Sequence, residues 1–491
     1  MLKEYARPED GLDKERRKTE TKRLQEKLTA QQIQLKDKKL PVIVLVEGWA
    51  AAGKGGLIND LISELDPRFS SVFSADSALR DADRYPFLYP FFKAIPEEGK
   101  LLFMDSGWME AAVKSRLGGK LGKKDYARLL RSVNRFERQL RDNGYLLLKL
   151  FVNISREEQA KRLKELRSEE DTRWRVSAYD LGQNEDYSAF RKAYDDFMAE
   201  TGEITPWHIL DGSQKNHLKY DALRLLTELI DAGAAAGKQH GAAFEEDFPL
   251  LEMPRLSEVD LSVKLEKDEY KEELKALQKR LSRLHNVIYR KKIPVVICYE
   301  GWDAAGKGGN IRRLAYPLDP RGFDVYPIAS PEPHELARHY LWRFWTRLPR
   351  SGHFAIFDRT WYGRVMVERI EGFCREEDWQ RAYNEINEFE EELHDWGAVV
   401  LKFWIHIDRE TQLQRFENRQ NTPEKQWKIT EEDWRNREKW PQYEEAVSEM
   451  LDKTSTTYAP WHIIESNDKL YARIKVLRIV ADALEEAIDR N

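Results

Sequence analysis

The chain repeats itself, and this repeat limits its fold more than any other feature of the sequence. The stretches LVEGWAAAGKGGLINDL and CYEGWDAAGKGGNIRRL place Lys54 and Lys307 in the same setting, 253 residues apart. Asp105 and Asp358 have the same separation, as do many later pairs of residues. One constant register over such a length indicates a tandem duplication of a domain and not two chance motifs.

The length of 491 residues also exceeds that of one ordinary domain, so two domains are expected. The segment AGAAAGKQHGAA between the copies is rich in small residues, as linkers are. The predicted domains are therefore 1–240 and 241–491. In the second copy the apolar runs PVVICYE, FAIFD and AVVLKFWIHI alternate with helical patterns. This alternation predicts an α/β fold with a parallel sheet covered by helices on both faces.

The composition limits the partners and the compartment. The net charge is −5 and basic residues alternate with acidic ones, so a nucleic-acid partner is not expected. Cys298 and Cys374 are the only cysteines, which fits a reducing compartment. The N-terminal residues lack the apolar core of a secretory signal, and no apolar run reaches the ~20 residues that span a bilayer. We therefore expect a cytoplasmic protein with no membrane partner.

The glycine-rich loop of the second copy matches the phosphate-binding pattern G-x-x-x-x-G-K. It follows a predicted buried strand and opens a predicted helix, whose N-terminal amides favour an anion. The candidate phosphate-binding residues are Gly301, Gly306, Lys307, Gly308 and Gly309. A tight turn needed only for packing is the alternative, but it does not account for a lysine between two glycines.

The residue after Lys307 is Gly308, where the usual pattern has a hydroxyl that holds magnesium. Another oxygen must then face the metal. Asp303 lies within the loop, and a carboxylate there would repel phosphate unless a cation intervened. Asp358 ends the predicted strand FAIFD, a position that usually faces the metal, although an Asp that caps a turn is the alternative. We predict that Asp303 and Asp358 hold Mg2+, with Mn2+ as a substitute that the same ligands would accept.

Longer motifs of the second copy carry a family resemblance. GWDAAGKGG, FDRTWYGRVMVERIEGF, PEKQWKITEEDW and TSTTYAPWHIIESNDKLYAR resemble the second polyphosphate kinase family. The tandem arrangement is similar to its two-domain subgroup, which phosphorylates AMP. The resemblance implies a P-loop kinase-like fold with a helical lid. It also implies inorganic polyphosphate as the phosphoryl donor and AMP as the acceptor that becomes ADP.

The resemblance further implies roles for particular residues. The implied catalytic residues are Asp303, Lys307, Asp358, Arg359 and Arg415. The lid would span about 409–439, and the further phosphate-binding residues would be Arg364, Arg419, Lys425 and Lys428. Trp361 and Tyr362 would line the nucleotide site, although packing in the core explains Trp361 at least as well. A charged helix alone is more often a solvated surface, and the PEKQW match is what favours a lid.

The constant register makes the first copy an internal control. It retains Lys54 and Asp105 but loses charges that the second copy has. The replacements are Ala50 for Asp303, Ser106 for Arg359, Ala111 for Arg364, Leu166 for Arg419 and Thr172 for Lys425. One lost electrostatic group in such a site costs ~10²–10³ in rate, so we predict that residues 1–240 form an inactive copy. It could brace the active domain or hold part of a polyphosphate chain, and bracing is slightly favoured.

Several alternatives stay open at this stage. ADP or GMP could serve as acceptors in addition to AMP. An ATP-dependent nucleoside monophosphate kinase would want the loop hydroxyl that this sequence lacks. A polyphosphate-binding scaffold without turnover would not need the charged set around Lys307. A homodimer is also open.

Overall fold

The computed structural model describes residues 2–7, 11–75, 82–242, 246–429 and 431–490. The chain divides into two compact units. The first unit comprises Met1–Ala82, Phe87–Gly241 and Pro333–His339, and the second comprises Asp83–Pro86, Ala242–Glu332 and Tyr340–Asn491. The main division at Gly241 falls within the small-residue segment between the two copies.

The first unit is built on a five-stranded parallel sheet. Its strands are β1 (Val42–Gly48), β2 (Ser70–Ser74), β3 (Leu101–Asp105), β4 (Leu146–Asn153) and β5 (Trp207–Asp211). The strand order is β2-β3-β1-β4-β5, and every pair is parallel. Its helices are α1 (Lys14–Asp37), α2 (Lys54–Ile62), α3 (Tyr89–Ala94), α4 (Trp108–Leu117), α5 (Lys123–Asp142), α6 (Arg156–Ser168), α7 (Ala178–Glu185), α8 (Tyr187–Thr201) and α9 (Lys215–Ala236).

The second half of the chain repeats this sheet. Its strands are β6 (Val295–Gly301), β7 (Phe323–Pro327), β8 (Phe354–Asp358), β9 (Val399–His406) and β10 (Trp461–Glu465). They are again all parallel, in the equivalent order β7-β8-β6-β9-β10. The helices are α10 (Lys267–Lys291), α11 (Lys307–Ala315), α12 (Pro333–Leu336), α13 (Trp342–Trp345), α14 (Val367–Ile370), α15 (Glu376–Asp395), α16 (Arg409–Gln420), α17 (Glu431–Glu438), α18 (Trp440–Thr454) and α19 (Lys469–Arg490).

The central strands form because their sequences are apolar on both faces, as a sheet covered by helices requires. All residues of β1 and all but the last of β6 are buried. The edge strand β7 contains only half-buried and exposed residues, and its sequence FDVYP has no continuous apolar run. The predicted α/β fold with a duplicated parallel sheet is confirmed, and the edge strands β7 and β10 are additions to the three predicted strands.

The sheet of the second unit brings two chain positions together. Strands β6 and β8 are neighbours, with Tyr299 opposite Asp358, so the carboxyl end of each strand opens at the same edge. Gly301 ends β6 with a φ of 146°, and a Cβ there would lie 2.4 Å from the carbonyl oxygen of Ile405. Only glycine fits this close approach between neighbouring strands. The chain therefore leaves the sheet at Gly301 and turns directly into the loop that precedes α11.

No helix in the part of the chain that the structure describes is both long enough and apolar enough to span a membrane.

Candidate active site

In the glycine loop of the second unit, the side chain of Lys307 is hydrogen-bonded to the main chain at the start of the loop. Gly306 caps the N-terminus of α11 with a φ of 118°, which glycine adopts at little cost. The ammonium group of Lys307 donates to the carbonyl oxygens of Gly301 (2.6 Å) and Trp302 (3.4 Å) across the loop. Lys54 makes the equivalent contacts to Gly48 (3.1 Å) and Trp49 (3.2 Å). The lysine thus has equivalent main-chain partners in both units.

A cavity of about 600 Å³ opens over this loop, and we call it the loop cavity. Most of the predicted site residues line it. They are Asp303, Gly306, Lys307, Gly308, Gly309, Asp358, Arg359 and Arg419. The cavity therefore joins the N-terminal amides of α11, several cations and three carboxylates, those of Asp303, Asp358 and Asp433, which is a composition suited to phosphate groups with a metal ion.

The Asp303 carboxylate lies between the loop and the helices beyond β9. Its Oδ2 accepts a 2.9 Å hydrogen bond from the side-chain amide of Asn436 on α17. Its Oδ1 lies 3.5 Å from Nη2 of Arg359, whose side chain is half exposed. The main-chain carbonyl of Asp303 also accepts from the amide of Gln412 on α16. Helices α16 and α17 lie in the predicted lid segment, and both contact the loop at Asp303.

Arg359 follows the strand-end Asp358 in a strained conformation. Its φ is 68°, in the left-handed region that disfavours side chains other than glycine, asparagine and aspartate. The buried carboxylate of Glu300 accepts hydrogen bonds from the amide and the hydroxyl of Thr360, both at 2.7 Å. Burial raises the pKa of Glu300, while the nearby Lys307 lowers it. Glu300 therefore fixes the turn that aims Arg359 at the loop cavity.

A metal ion would find few protein ligands here. Within the described residues, no group of three or more His, Cys, Asp or Glu side chains is close enough to hold a metal. Asp303 and Asp358 line the loop cavity together with a third carboxylate, Asp433 of α17. A Cβ added to Gly308 would meet no atom within 4 Å, so there is open space where other P-loops carry a hydroxyl. Two carboxylates beside open space suit Mg2+, which keeps several waters and binds substrate phosphates.

Arg415, one of the implied catalytic residues, is hydrogen-bonded to the main chain of the loop. Its guanidinium is buried beneath the loop and donates to the carbonyl oxygens of Ala304 (3.0 Å) and Ala305 (2.8 Å). It also donates to the carbonyls of Ser466 and Asn467, after β10. Burial lowers its pKa to about 10. Buried main-chain carbonyls require hydrogen-bond donors, and the guanidinium of Arg415 supplies them. These bonds connect the loop to the segment after β10.

Trp361 and Tyr362, which were predicted to line the nucleotide site, are buried in the core. They are 1% and 0% exposed, and both donate to Oε1 of Glu390, at 3.0 and 2.7 Å. Glu390 is paired with Lys402 at 2.7 Å in the core, and such a buried pair requires further hydrogen-bond donors. The two aromatic side chains meet that need, so they do not line the predicted nucleotide site.

Arg364 lies outside the loop cavity as well. Its Nη1 is 3.0 Å from Glu368, and its guanidinium packs 4.5 Å from the ring centroid of Tyr340. The neighbouring carboxylate and the aromatic ring account for this position without phosphate. The side chains of Lys425 and Lys428, two further predicted phosphate ligands, lie outside the described residues.

The first unit fills the equivalent space with its own side chains. Gln183 stands where the second unit has Asn436, and it is 1% exposed. Its Oε1 accepts from the amide of Ala50 (2.6 Å) and from Nε2 of Gln159 (2.8 Å). Its Nε2 donates to the hydroxyl of Tyr194 at 2.7 Å. In this unit the helices after β4 are thus hydrogen-bonded directly to the loop backbone where Ala50 replaces Asp303.

Glu300 and Asn436 are site residues that sequence reasoning missed. Glu300 directly precedes the G-x-x-x-x-G-K pattern and ends an apolar strand, so a charged residue at that position was a usable signal. Asn436 gave no such signal, because it lies in a segment crowded with other charged and polar residues.

Together these features define a class of protein. A parallel sheet leads from its central strand into a glycine loop, a lysine and a helix N-terminus, and an aspartate ends the neighbouring strand. This is the arrangement of P-loop phosphotransferases. The family model described as polyphosphate kinase 2 matches residues 11–239 and again 264–491, and the chain belongs to this family.

Individual relatives agree with the family match. The chain is 41% identical to a polyphosphate:AMP phosphotransferase of Pseudomonas syringae pv. tomato, over 95% of each chain. It is 38% identical to an AMP/ADP-polyphosphate phosphotransferase of Meiothermus ruber, over 44% of this chain and 80% of that one. A crystal structure from Pseudomonas aeruginosa, described as a polyphosphate kinase 2, superposes with a TM-score of 0.85 at 38% identity and covers 98% of both chains.

Proposed function

We propose that this protein transfers the terminal phosphoryl group of inorganic polyphosphate to AMP, giving ADP and a shortened chain. The observation that carries the proposal is the similarity to a two-copy relative named for this reaction, at 41% identity over 95% of each chain. The loop cavity supports it, because its cations and helix N-terminus suit a polyanionic donor.

Phosphoryl transfer requires positioning and charge stabilisation more than covalent chemistry by the protein. The amides at the start of α11 and the ammonium of Lys307 would hold the donor phosphates. Arg359, aimed into the loop cavity by its left-handed turn, would neutralise the transferring group, and Arg419 would do so from α16. Asp303 and Asp358 would hold Mg2+, which would supply charge neutralisation for the phosphate groups, and Mn2+ would serve with the same ligands.

The catalytic centre in this proposal is in the second unit alone. The first unit keeps Lys54 and Asp105 but has Ala50 and Ser106 in place of Asp303 and Arg359. The amide of Ala50 donates instead to the side chain of Gln183, which ties the loop to the helices after β4 at the position of the missing carboxylate. These features favour a bracing role for the first unit over polyphosphate binding.

ADP is the second candidate acceptor. The Meiothermus ruber relative is named for both AMP and ADP. An acceptor site that reads the nucleoside and leaves room for one more phosphate would accept either nucleotide.

The test is a nucleotide assay with the purified full-length chain. AMP and ADP are offered separately with Mg2+, and polyphosphate and ATP are compared as donors. We expect ADP from AMP only when polyphosphate is present, and loss of turnover when a chelator removes the metal. Turnover with ATP and none with polyphosphate would overturn the proposed donor. Unchanged turnover in excess chelator would overturn the metal.

A further inference from the structure

The sequence TSTTYAP, part of one of the motifs that carry the family resemblance, has a main-chain partner within the second unit. This partner is the segment 249–256, which follows the linker and which we call the strap. The amide of Leu251 donates to the carbonyl of Ser455 at 2.7 Å, and the amide of Thr457 donates to the carbonyl of Pro249 at 2.8 Å. Ser455 is 0% exposed. The motif therefore fixes the start of the strap by hydrogen bonds of the main chain.

The last residue of the strap lies against His406, the last residue of β9. Leu256 is 3% exposed, and its carbonyl oxygen is 3.2 Å from Nε2 of His406. Because a carbonyl can only accept a hydrogen bond, the proton of the imidazole is on Nε2. Nδ1 is then an acceptor, and the indole Nε1–H of Trp302 donates to it at 3.0 Å. Burial lowers the pKa of His406 to about 4, so the ring is uncharged at neutral pH.

Trp302 connects this histidine to the glycine loop, because it is the second residue of the G-x-x-x-x-G-K pattern. Its carbonyl accepts from the ammonium of Lys307 at 3.4 Å, and Asp303 follows it directly. Its indole stacks on Trp440, with 3.8 Å between ring centroids and 12° between planes. The indole thus has a stacking partner on its face and a hydrogen-bond acceptor, His406, at its Nε1.

The first unit holds its loop tryptophan in the same way with a different acceptor. Trp49 stacks on Tyr187, with 3.8 Å between ring centroids and 9° between planes. Its Nε1 donates at 2.9 Å to Oδ1 of Asn153, which is the counterpart of His406, 253 residues earlier. An imidazole and a carboxamide differ in shape, but both supply an acceptor for the indole N–H. The hydrogen bond is therefore the feature that the two units share at this position.

We infer that His406 is a positioning residue for phosphoryl transfer. The strap carbonyl keeps the proton on Nε2, and Nδ1 therefore accepts from Trp302 and fixes the part of the loop that carries Asp303 and Lys307. This inference rests on the proposed function for the reaction that the loop serves. Loss of the acceptor would release the indole, and a misplacement of about 1 Å in such a site costs ~10² in rate.

The first test compares side chains at position 406. His406→Phe keeps a ring without an acceptor and should lower kcat by ~10², whereas His406→Asn supplies the carboxamide of the first unit and should keep kcat within about threefold. A side chain that served only in packing would give the opposite order, because phenylalanine fills the space and a buried amide is costly. A folded His406→Phe protein with unchanged kcat would overturn the inference.

The second test asks whether His406 acts through Trp302. Trp302→Phe removes the indole donor and should itself lower kcat. In that background, His406→Phe should lower kcat further by no more than about twofold, because its partner is already absent. Losses that multiply in the double variant would overturn the inference. His406→Leu replaces His406→Phe if the latter does not fold. The matched control is Asn153→Leu in the first unit, which should leave kcat unchanged.

A third readout needs no turnover and so separates this inference from the proposed function. Fluorine NMR of protein labelled with 5-fluorotryptophan reports on the Trp302 indole, whose resonance is assigned by its loss in Trp302→Phe. His406→Phe should shift this resonance more than His406→Asn does, and Asn153→Leu should leave it in place. If it shifts but the unmodified protein makes no ADP, the reaction is wrong and the contact stands. If ADP forms and His406→Phe changes neither the resonance nor kcat, the reaction stands and the inference is wrong.

Discussion

Arg162 and Arg415, which are 253 residues apart, make equivalent hydrogen bonds to the main chain in the two units. Arg415 donates to two loop carbonyls and to two carbonyls that follow β10. Arg162 donates to the carbonyls of Ala51 and Ala52, and to two carbonyls that follow β5. The first unit has no counterpart of the charges of Asp303 and Arg359 but has this contact. In both units the arginine thus binds the main chain of the loop, and we propose that it maintains the loop's shape.

Replacing either arginine by alanine should destabilise its own unit. Main-chain carbonyls would lose charged donors, so we expect a loss of about 2–5 kcal/mol in unfolding free energy for each variant, measured by urea denaturation. Turnover at low temperature should fall strongly in Arg415→Ala and be retained in Arg162→Ala. An Arg415→Ala protein with full stability but no turnover would instead place this side chain on the substrate.

The two loop lysines offer a matched pair for catalysis. Lys307→Ala should lower kcat by ~10²–10³, because one preorganised charge at the transferring group is lost. Lys54→Ala removes the same main-chain contacts from the first unit and should leave kcat and the KM for polyphosphate unchanged. A raised KM for polyphosphate in Lys54→Ala would show that the first unit holds part of the donor chain.

The metal prediction is tested at Asp303. Asp303→Asn keeps the size of the side chain and removes its charge, so the Mg2+ concentration needed for half-maximal turnover should rise and kcat should fall by ~10² or more. Asp105→Asn in the first unit is the control and should alter neither quantity. If Asp303→Asn showed normal turnover at the same Mg2+ concentration, the carboxylate would have no role at the metal.

Glu47 gives a prediction for pH. Burial and the nearby Glu110 raise its pKa from 4.5 to about 8 in the folded protein. A raised pKa means that the protonated form favours the folded state, so this stabilisation is complete below about pH 4.5 and is lost as the pH rises toward 8. Glu47→Gln cannot ionise. Its thermal midpoint relative to the unmodified protein should therefore increase between these pH values, and a constant difference would contradict the prediction.

Much of the fold could be predicted because the repeat supplied each element twice. The buried strands β6, β8 and β9 have continuous apolar sequences, and the glycine pattern fixes the start of α11. The edge strands β7 and β10 escaped prediction. Strand β7 is half exposed, and β10, with the sequence WHIIE, has only three apolar residues among its five. Short strands at an edge depend on their neighbour for pairing, and their own sequences carry little pattern.

The site was predictable where a residue type follows from the chemistry of phosphate, as at Asp303, Lys307 and Asp358. It was less predictable where a charged or aromatic side chain meets an internal need. Arg415 satisfies buried carbonyls, and Trp361 supports a buried carboxylate. From the sequence alone, these structural roles cannot be distinguished from ligand binding. A sequence motif gives the residue type but not the direction of its side chain.

The left-handed turn after the strand-end aspartate occurs in both units. Ser106 in the first unit adopts a φ of 62°, close to the 68° of Arg359, although the serine side chain is uncharged. Glu47 still receives the hydrogen bond from the amide of Gly107 at 2.9 Å. The first unit therefore has the same strained backbone conformation at a residue that carries no charge. Because both copies of the duplicated domain have the turn, its formation does not depend on the arginine that follows the aspartate in the second unit.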